Sequence, residues 1–144
     1  KVLIIGRGQE KSNLLAYINN NDLKKLVKII EPNKNVYSYL KSSDLFILSS
    51  KYEGLPNVLL EAAVLKKFII STNCPTGPRE ILSNGDFGFL FKIGNFKELE
   101  GKIYHFYKNQ KKLKKKSHAL YRSLTRYNYN DNLKKYWKII NKYI

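Results

Sequence analysis

Short apolar runs alternate with helical patterns along the whole chain. Val2-Leu3-Ile4-Ile5 is a continuous apolar run closed by Gly6-Arg7-Gly8, the pattern of a buried parallel strand followed by a tight turn. Leu14, Leu15 and Ile18 then recur at helical spacing, and Ser12 is placed to cap that helix. Asn19-Asn20-Asn21-Asp22 reads as a loop, and Val27-Lys28-Ile29-Ile30 as a short second strand broken by Pro32-Asn33. Val36, Tyr37 and Leu40 predict a short helix up to Ser43, and Leu45-Phe46-Ile47-Leu48 a third strand. A helix follows over Pro56 to Leu65, with proline suited to a first helical turn. Phe68-Ile69-Ile70-Ser71 is the fourth strand, Pro78 to Leu82 a helical turn, and Phe89-Leu90-Phe91 the fifth strand, framed by Asn84-Gly85 and Gly88. Three helices close the chain: Phe96 to Tyr107, residues 111–126, and Asp131 to Tyr143, the last with Leu133, Tyr136, Trp137 and Ile140 on one face.

Strand and helix in this alternation require crossover units and a parallel sheet. The expected architecture is α/β: a doubly wound, Rossmann-like parallel sheet with helices on both faces. Ligands of such sheets bind outside the carboxyl ends of the strands. Gly6-Arg7-Gly8 lacks the third glycine of a dinucleotide fingerprint and reads as a turn.

Composition narrows the picture. A chain of 144 residues holds one domain with a core, not two, and 43% hydrophobic residues suit a folded chain. No apolar run reaches the roughly 18 residues that span a bilayer, and the opening run is too short for a secretory signal. The chain lacks methionine and opens inside a strand, so it reads as a piece of a longer polypeptide, truncated at its N-terminal edge. The lone Cys74 has no intrachain disulfide partner, fits a reducing cytoplasm, and reads as a small loop residue. His105 and His118 lie in polar, Lys-rich sequence and read as surface residues, so no metal site is expected. Of the net charge of +16, most sits at one end: residues 101–144 carry 13 Lys and Arg against a single acid, Asp131. A basic end attracts phosphate, on an anionic membrane or in nucleic acid, or is simply a solvated helix face.

The densest chemistry lies in Ser49-Ser50-Lys51-Tyr52-Glu53-Gly54-Leu55-Pro56-Asn57-Val58-Leu59-Leu60-Glu61-Ala62. A strand ends at Ser49, and a helix starts near Pro56. The first amides and positive dipole end of that helix make an anion site. Gly54 lets the backbone approach a ligand. Glu61, about one turn into the helix, can accept hydrogen bonds from a sugar diol, and Glu53 lies beside the same crevice. Two glutamates eight apart are also common as solvated acids.

In context, the segment from Tyr52-Glu53-Gly54-Leu55-Pro56-Asn57-Val58 through Glu61-Ala62 resembles the E-x7-E motif of family 4 retaining glycosyltransferases. Lys41 to Ser50 resembles the strand leading into that motif, and Lys66 to Thr72 the strand after it. Gly77-Pro78-Arg79-Glu80-Ile81-Leu82, Gly85 and Gly88-Phe89-Leu90 resemble the family's next loop and glycine turn, and Leu3 to Gly8 an earlier strand. The likeness covers about residues 1–100. It implies that residues 1–144 are the C-terminal, donor-binding half of a GT-B fold, incomplete, with residues 101–144 as basic C-terminal helices. It implies sugar transfer from a nucleotide diphosphate donor with retained configuration, the sugar a hexosyl or N-acetylhexosaminyl group. By the same resemblance Glu53 is the catalytic residue, contacting the donor sugar or stabilising charge. The backbone of Gly54, Leu55, Pro56, Asn57 and Val58 meets sugar and diphosphate, and Glu61 holds the ribose hydroxyls. The base is implied near Ile30 to Pro32. No cofactor or metal is implied, and a UDP-sugar is preferred to a GDP-sugar.

The family's Arg and Lys that bind diphosphate lie on a unit preceding this chain, as does the acceptor domain, so the fragment is expected to be inactive alone. Arg79 is a candidate for phosphate contact, with helix capping or a salt bridge as alternatives. The expected partners are a nucleotide sugar, the N-terminal acceptor domain of the same protein, and an anionic membrane surface under the aromatic, basic C-terminal helices. Trp137 is equally suited to a core or interdomain contact. The implied setting is envelope polysaccharide assembly in the bacterial cytoplasm, peripheral to the inner membrane, on a glycan or lipid-linked acceptor. The alternative is a nucleic-acid- or nucleotide-binding module using the basic helices, although no nucleic-acid-binding motif is present.

Overall fold

The computed structural model describes residues 1–33 and 35–143. In chain order these form β1 (Val2–Ile5), α1 (Lys11–Asn20), β2 (Val27–Ile30), α2 (Val36–Ser42), β3 (Leu45–Leu48), α3 (Asn57–Val64), β4 (Phe68–Thr72), α4 (Pro78–Ile81), β5 (Phe89–Phe91), α5 (Phe96–Ser123) and α6 (Tyr129–Ile140). The fold is α/β with parallel strands alternating with helices, as the apolar runs predict. The chain divides into two compact units, Lys1–Ser42 and Ser43–Ile144.

In the first unit β1 and β2 pair in parallel, from Val2 opposite Val27 to Ile5 opposite Ile30. Parallel neighbours need a crossover, and α1 supplies it. Asp22, at φ 54°, turns the chain out of α1, and the Leu23 amide donates to the Ile18 carbonyl at 2.9 Å. Ile18 and Leu40 are buried, whereas Leu14 and Leu15 stay exposed. Ser12 is not the cap. The Leu14 amide already donates to the Glu10 carbonyl at 2.9 Å, so the helix starts at Lys11 and places Glu10 at the N-cap. The Glu10 carboxylate accepts from the Asn13 side-chain amide at 2.8 Å and makes no capping bond.

In the second unit β4 is the central strand. It pairs in parallel with β3 (Leu45 opposite Phe68) and with β5 (Ile70 opposite Phe89). All five β4 residues are buried: Phe68, Ile69 and Ile70 run apolar without alternation, and the hydroxyls of Ser71 and Thr72 are satisfied by backbone carbonyls. Phe68, Ile70 and Phe91 form one core cluster with Phe106 and Leu113 of α5. The Phe68 and Phe106 rings stack at 5.3 Å, and Phe89 meets Phe68 edge-on at 4.9 Å.

Later helix boundaries also differ from the expectation, and α6 ends at Ile140 rather than Tyr143. The two helices predicted over 96–107 and 111–126 are one element, α5, locally non-helical at Asn109 (φ −126°, ψ 21°). No glycine or proline separates the halves. Buried Phe106, Leu113 and Leu120 recur every seven residues, about two turns, and keep one face on the core across the kink. The Asn109 side-chain amide bridges it by donating to the His105 carbonyl at 2.9 Å. The helix then tightens into a 3-10 turn over Leu124–Tyr127. Helix α6 begins two residues earlier than expected because Asn128 caps it, accepting from the Asp131 amide at 3.1 Å. Pro56 lies at the N-cap of α3, extended at φ −71° and ψ 100°, just before the helix rather than in its first turn.

The aromatic and aliphatic residues of α6, including Leu133, Tyr136, Trp137 and Ile140, are exposed. His105 is exposed but sets its ring edge-on to Phe89 at 5.3 Å, and His118 is half-buried. No helix among the described residues is long and apolar enough to cross a membrane.

Candidate functional site

The candidate site residues lie on one strand–loop–helix segment, in the second unit of the structure. Strand β3 ends at Leu48, the chain loops through Ser49–Leu55, and α3 begins at Asn57. Helix α3 is fixed by its buried face: Leu59, Ala62 and Ala63 have no exposed surface. Small alanines let this face lie close to β4, where Ile69 and Ile70 are equally buried. Pro56 is buried and offers no side-chain oxygen, so no side chain caps the N-terminus of α3. By contrast Asn95 accepts from the Glu98 amide at the start of α5. The first turn of α3 therefore carries the amides and dipole end suited to an anion.

Glu53 is half-buried in the loop, with Gly54 and Leu55 exposed beside it. Asn57 is exposed as the first helical residue, Val58 is half-buried, and Glu61 is half-buried in the second turn of α3. All seven predicted site residues thus fall within nine positions on one loop and one helix. Ile30 to Pro32, implied near the base, belong to the first unit. There Glu31 pairs with Lys11 at 2.5 Å, and that hydrogen bond holds the Glu31 carboxyl below the usual glutamate range.

A second segment, Thr72–Pro78, fastens the first. The Thr72 hydroxyl donates to the Ser50 carbonyl at 2.6 Å, and the Cys74 thiol donates to the same oxygen at 3.2 Å. The Thr76 hydroxyl donates to the Glu53 carbonyl at 2.5 Å. Gly77, at φ +78°, presses against the Gly54 carbonyl; a Cβ there would lie 2.0 Å from that oxygen and 2.6 Å from Pro56 Cδ. Sequence reasoning saw Cys74 as loop filler and gave Thr72 and Thr76 no role. Gly77 entered only as part of Gly77-Pro78-Arg79-Glu80-Ile81-Leu82, through its resemblance to the family's next loop. Among the described residues Arg79 makes neither a helix-capping bond nor a salt bridge, the two alternatives considered for it; its Nε donates to Asn73 Oδ1 at 2.9 Å.

An open groove of about 460 Å3 lies at the carboxyl ends of β4 and β5, lined by Asn73, Leu90, Phe91, Lys92, Ile93 and Glu98. It does not include Glu53 or Glu61. Its acid is already engaged: Glu98 accepts from the Lys92 amide at 2.8 Å and pairs with Lys102 at 3.3 Å. These contacts, the backbone hydrogen bond first, hold its carboxyl below the ordinary glutamate value. The Glu53–Glu61 segment differs from this groove in having a helix start without a side-chain cap beside two half-buried glutamates. Among the described residues no three His, Cys, Asp or Glu side chains cluster as metal ligands.

Parallel strands, alternating helices and a strand–loop–helix carrying an open helix N-terminus define the Rossmann-like class of α/β domains. The model of the family "Glycosyl transferases group 1" matches residues 1–123. The chain belongs to that family, and its fold is that of the C-terminal domain of GT-B glycosyltransferases. It is 45% identical over 82 residues to an uncharacterized glycosyltransferase of Methanocaldococcus jannaschii, covering 57% of this chain and 20% of the relative. It superimposes on Anabaena HepE, solved in complex with UDP, with TM-score 0.86 and 18% identity, over 97% of this chain and 40% of that one. It also matches the solved C-terminal domain of a group 1 glycosyltransferase, LpcC, from Francisella tularensis, with TM-score 0.70 and 23% identity, over 81% of this chain and 60% of that one. The chain spans about a fifth to a quarter of the length of the first curated relatives it matches.

Proposed function

We propose that this chain binds the donor of a retaining glycosyltransferase, a nucleotide diphosphate sugar with UDP as the preferred nucleotide. The observation that carries this reading is the arrangement of Glu53 and Glu61 around the uncapped start of α3. A diphosphate suits the amides of Asn57 and Val58 and the helix dipole. Glu61 accepts hydrogen bonds from the ribose hydroxyls. Glu53 contacts the donor sugar and stabilises positive charge at its anomeric carbon, with Gly54, Leu55 and Pro56 forming the wall against the sugar. The UDP held by Anabaena HepE supports the choice of nucleotide.

The transferred group is a hexosyl or N-acetylhexosaminyl residue, passed with retention to a glycan or lipid-linked acceptor held by another domain. The reaction takes place in the cytoplasm, and the basic helices α5 and α6 face the anionic membrane surface that carries the acceptor. No metal takes part, since helix dipole and basic groups neutralise the diphosphate.

Thermal unfolding with UDP, GDP and ADP tests the reading. A ligand that binds only the folded chain adds roughly 2.7 kcal/mol at about 100 times its dissociation constant. UDP is expected to stabilise the chain, GDP and ADP less so, and Glu61→Ala to lose the effect. Equal stabilisation by all three, retained in Glu61→Ala, would point to charge attraction alone.

A further inference from the structure

The direction of the loop amides beside Glu53 is set from outside the Glu53–Glu61 segment. A trans peptide is planar, so its C=O and the next residue's N–H point to opposite sides. The described chain has no cis peptide bonds. The Glu53 carbonyl points to the Thr76 hydroxyl, 2.5 Å away, so the Gly54 N–H points away from Thr76. The Gly54 carbonyl faces Gly77 so closely that a Cβ there would meet it, so the Leu55 N–H points away from Gly77. The Ser50 carbonyl accepts from both Thr72 and Cys74, which turns the Lys51 N–H outward as well. Thr72 and Cys74 are fully buried and 3.3 Å apart through Oγ1 and Sγ, so the base of this strap is rigid. Thr76 is exposed and is its free tip.

We propose that Thr76 is a positioning residue: by holding the Glu53 carbonyl it aims the Gly54 amide, and the Glu53 side chain with it, at the donor. Thr72, Cys74 and Gly77 hold the remainder of the strap. A free loop carrying Gly54 would sample many orientations, because glycine has no steric bias of its own. The strap removes that freedom before the ligand arrives, which lowers the ordering entropy of binding. This inference rests on the donor-binding reading for its ligand and not for its geometry.

The test uses Thr76→Val, which keeps the shape and removes the donor hydroxyl, and Thr76→Ser, which restores the hydroxyl. Backbone order parameters of the Glu53 and Gly54 amides are measured without ligand, and UDP affinity by calorimetry. In wild type the order parameters should sit near the rigid value of about 0.85; in Thr76→Val they should fall below about 0.6. UDP affinity should drop about tenfold, and Thr76→Ser should recover both. The amides of α5 should be unchanged. Unaltered order parameters in Thr76→Val overturn the proposal whether or not UDP binds. Loosening that extends to α5, or a mobile loop with unchanged UDP affinity, also overturns it. Wild type that fails to bind UDP contradicts the donor reading instead, and the order parameters still decide whether Thr76 holds the loop.

Discussion

Gly77 tolerates no side chain. Its dihedrals, φ +78° and ψ −78°, are those of the strained γ-turn, and the space a Cβ would need is filled by the Gly54 carbonyl and Pro56. Gly77→Ala should destabilise the chain by at least about 2 kcal/mol in urea unfolding. Gly101→Ala should do the opposite. Gly101 lies inside α5 with open space where its Cβ would stand, so alanine should add about 0.5–1 kcal/mol. Glu98 gives a pH signature. Its folded-state carboxyl titrates below the ordinary value because the Lys92 amide and Lys102 favour the charged form. Its contribution is present above the unfolded value and is lost as pH falls through the folded one. Glu98→Gln should therefore flatten part of the acid limb of stability against pH, while leaving the slope above pH 6 unchanged. The carboxylates at the site were legible as residue types, since Glu53 and Glu61 stand in a recognisable pattern with Gly54 and Pro56. Thr72, Cys74 and Thr76 were not. Their hydroxyls and thiol act on carbonyls more than 20 residues away, and sequence spacing carries no record of such a bond.

At the scale of elements, period and punctuation were enough for the strands. β4 is flanked by β3 and β5 and buried along its whole length, apolar over Phe68–Ile70 and polar at Ser71 and Thr72, and each strand stands where its apolar run does. Helix ends were harder, because capping depends on which backbone group turns first. Ser12 is a good cap by type, yet the turn starts at Glu10, and α6 takes Asn128. The continuity of α5 was hidden by its lysines. Lys111, Lys112, Lys114 and Lys115 are exposed, and only Leu113 among them reaches the core. Leu120→Ala, at a fully buried position, should cost about 2–5 kcal/mol. Tyr107→Ala, exposed on the same helix, should stay within about 0.5 kcal/mol. Denaturant midpoints of the two variants measure the difference. The α5 extension also reaches α4: Arg126 donates from one nitrogen to the Glu80 and Ile81 carbonyls at 3.0 and 2.8 Å. It thereby caps the helix that follows Gly77, the end of the strap.

At the scale of the whole molecule, the excess positive charge and the two-glutamate segment make different demands on a ligand. The charge of residues 101–144 attracts any polyanion, with an affinity that falls steeply with salt. On the proposed reading, the Glu53–Glu61 segment instead selects a phosphate ligand that also carries hydroxyl groups for its carboxylates to hold. The family and its fold follow from the segment and its neighbouring strands, whereas the charge alone left a nucleic-acid module open. Titration of UDP into 15N-labelled chain at 0.15 M salt, read by amide chemical shifts, separates the two most directly. The account predicts saturable shifts largest at Gly54, Leu55, Asn57 and Val58, and their loss in Glu61→Ala. Shifts confined to the Lys111–Lys116 stretch, or an undisturbed spectrum, would contradict it.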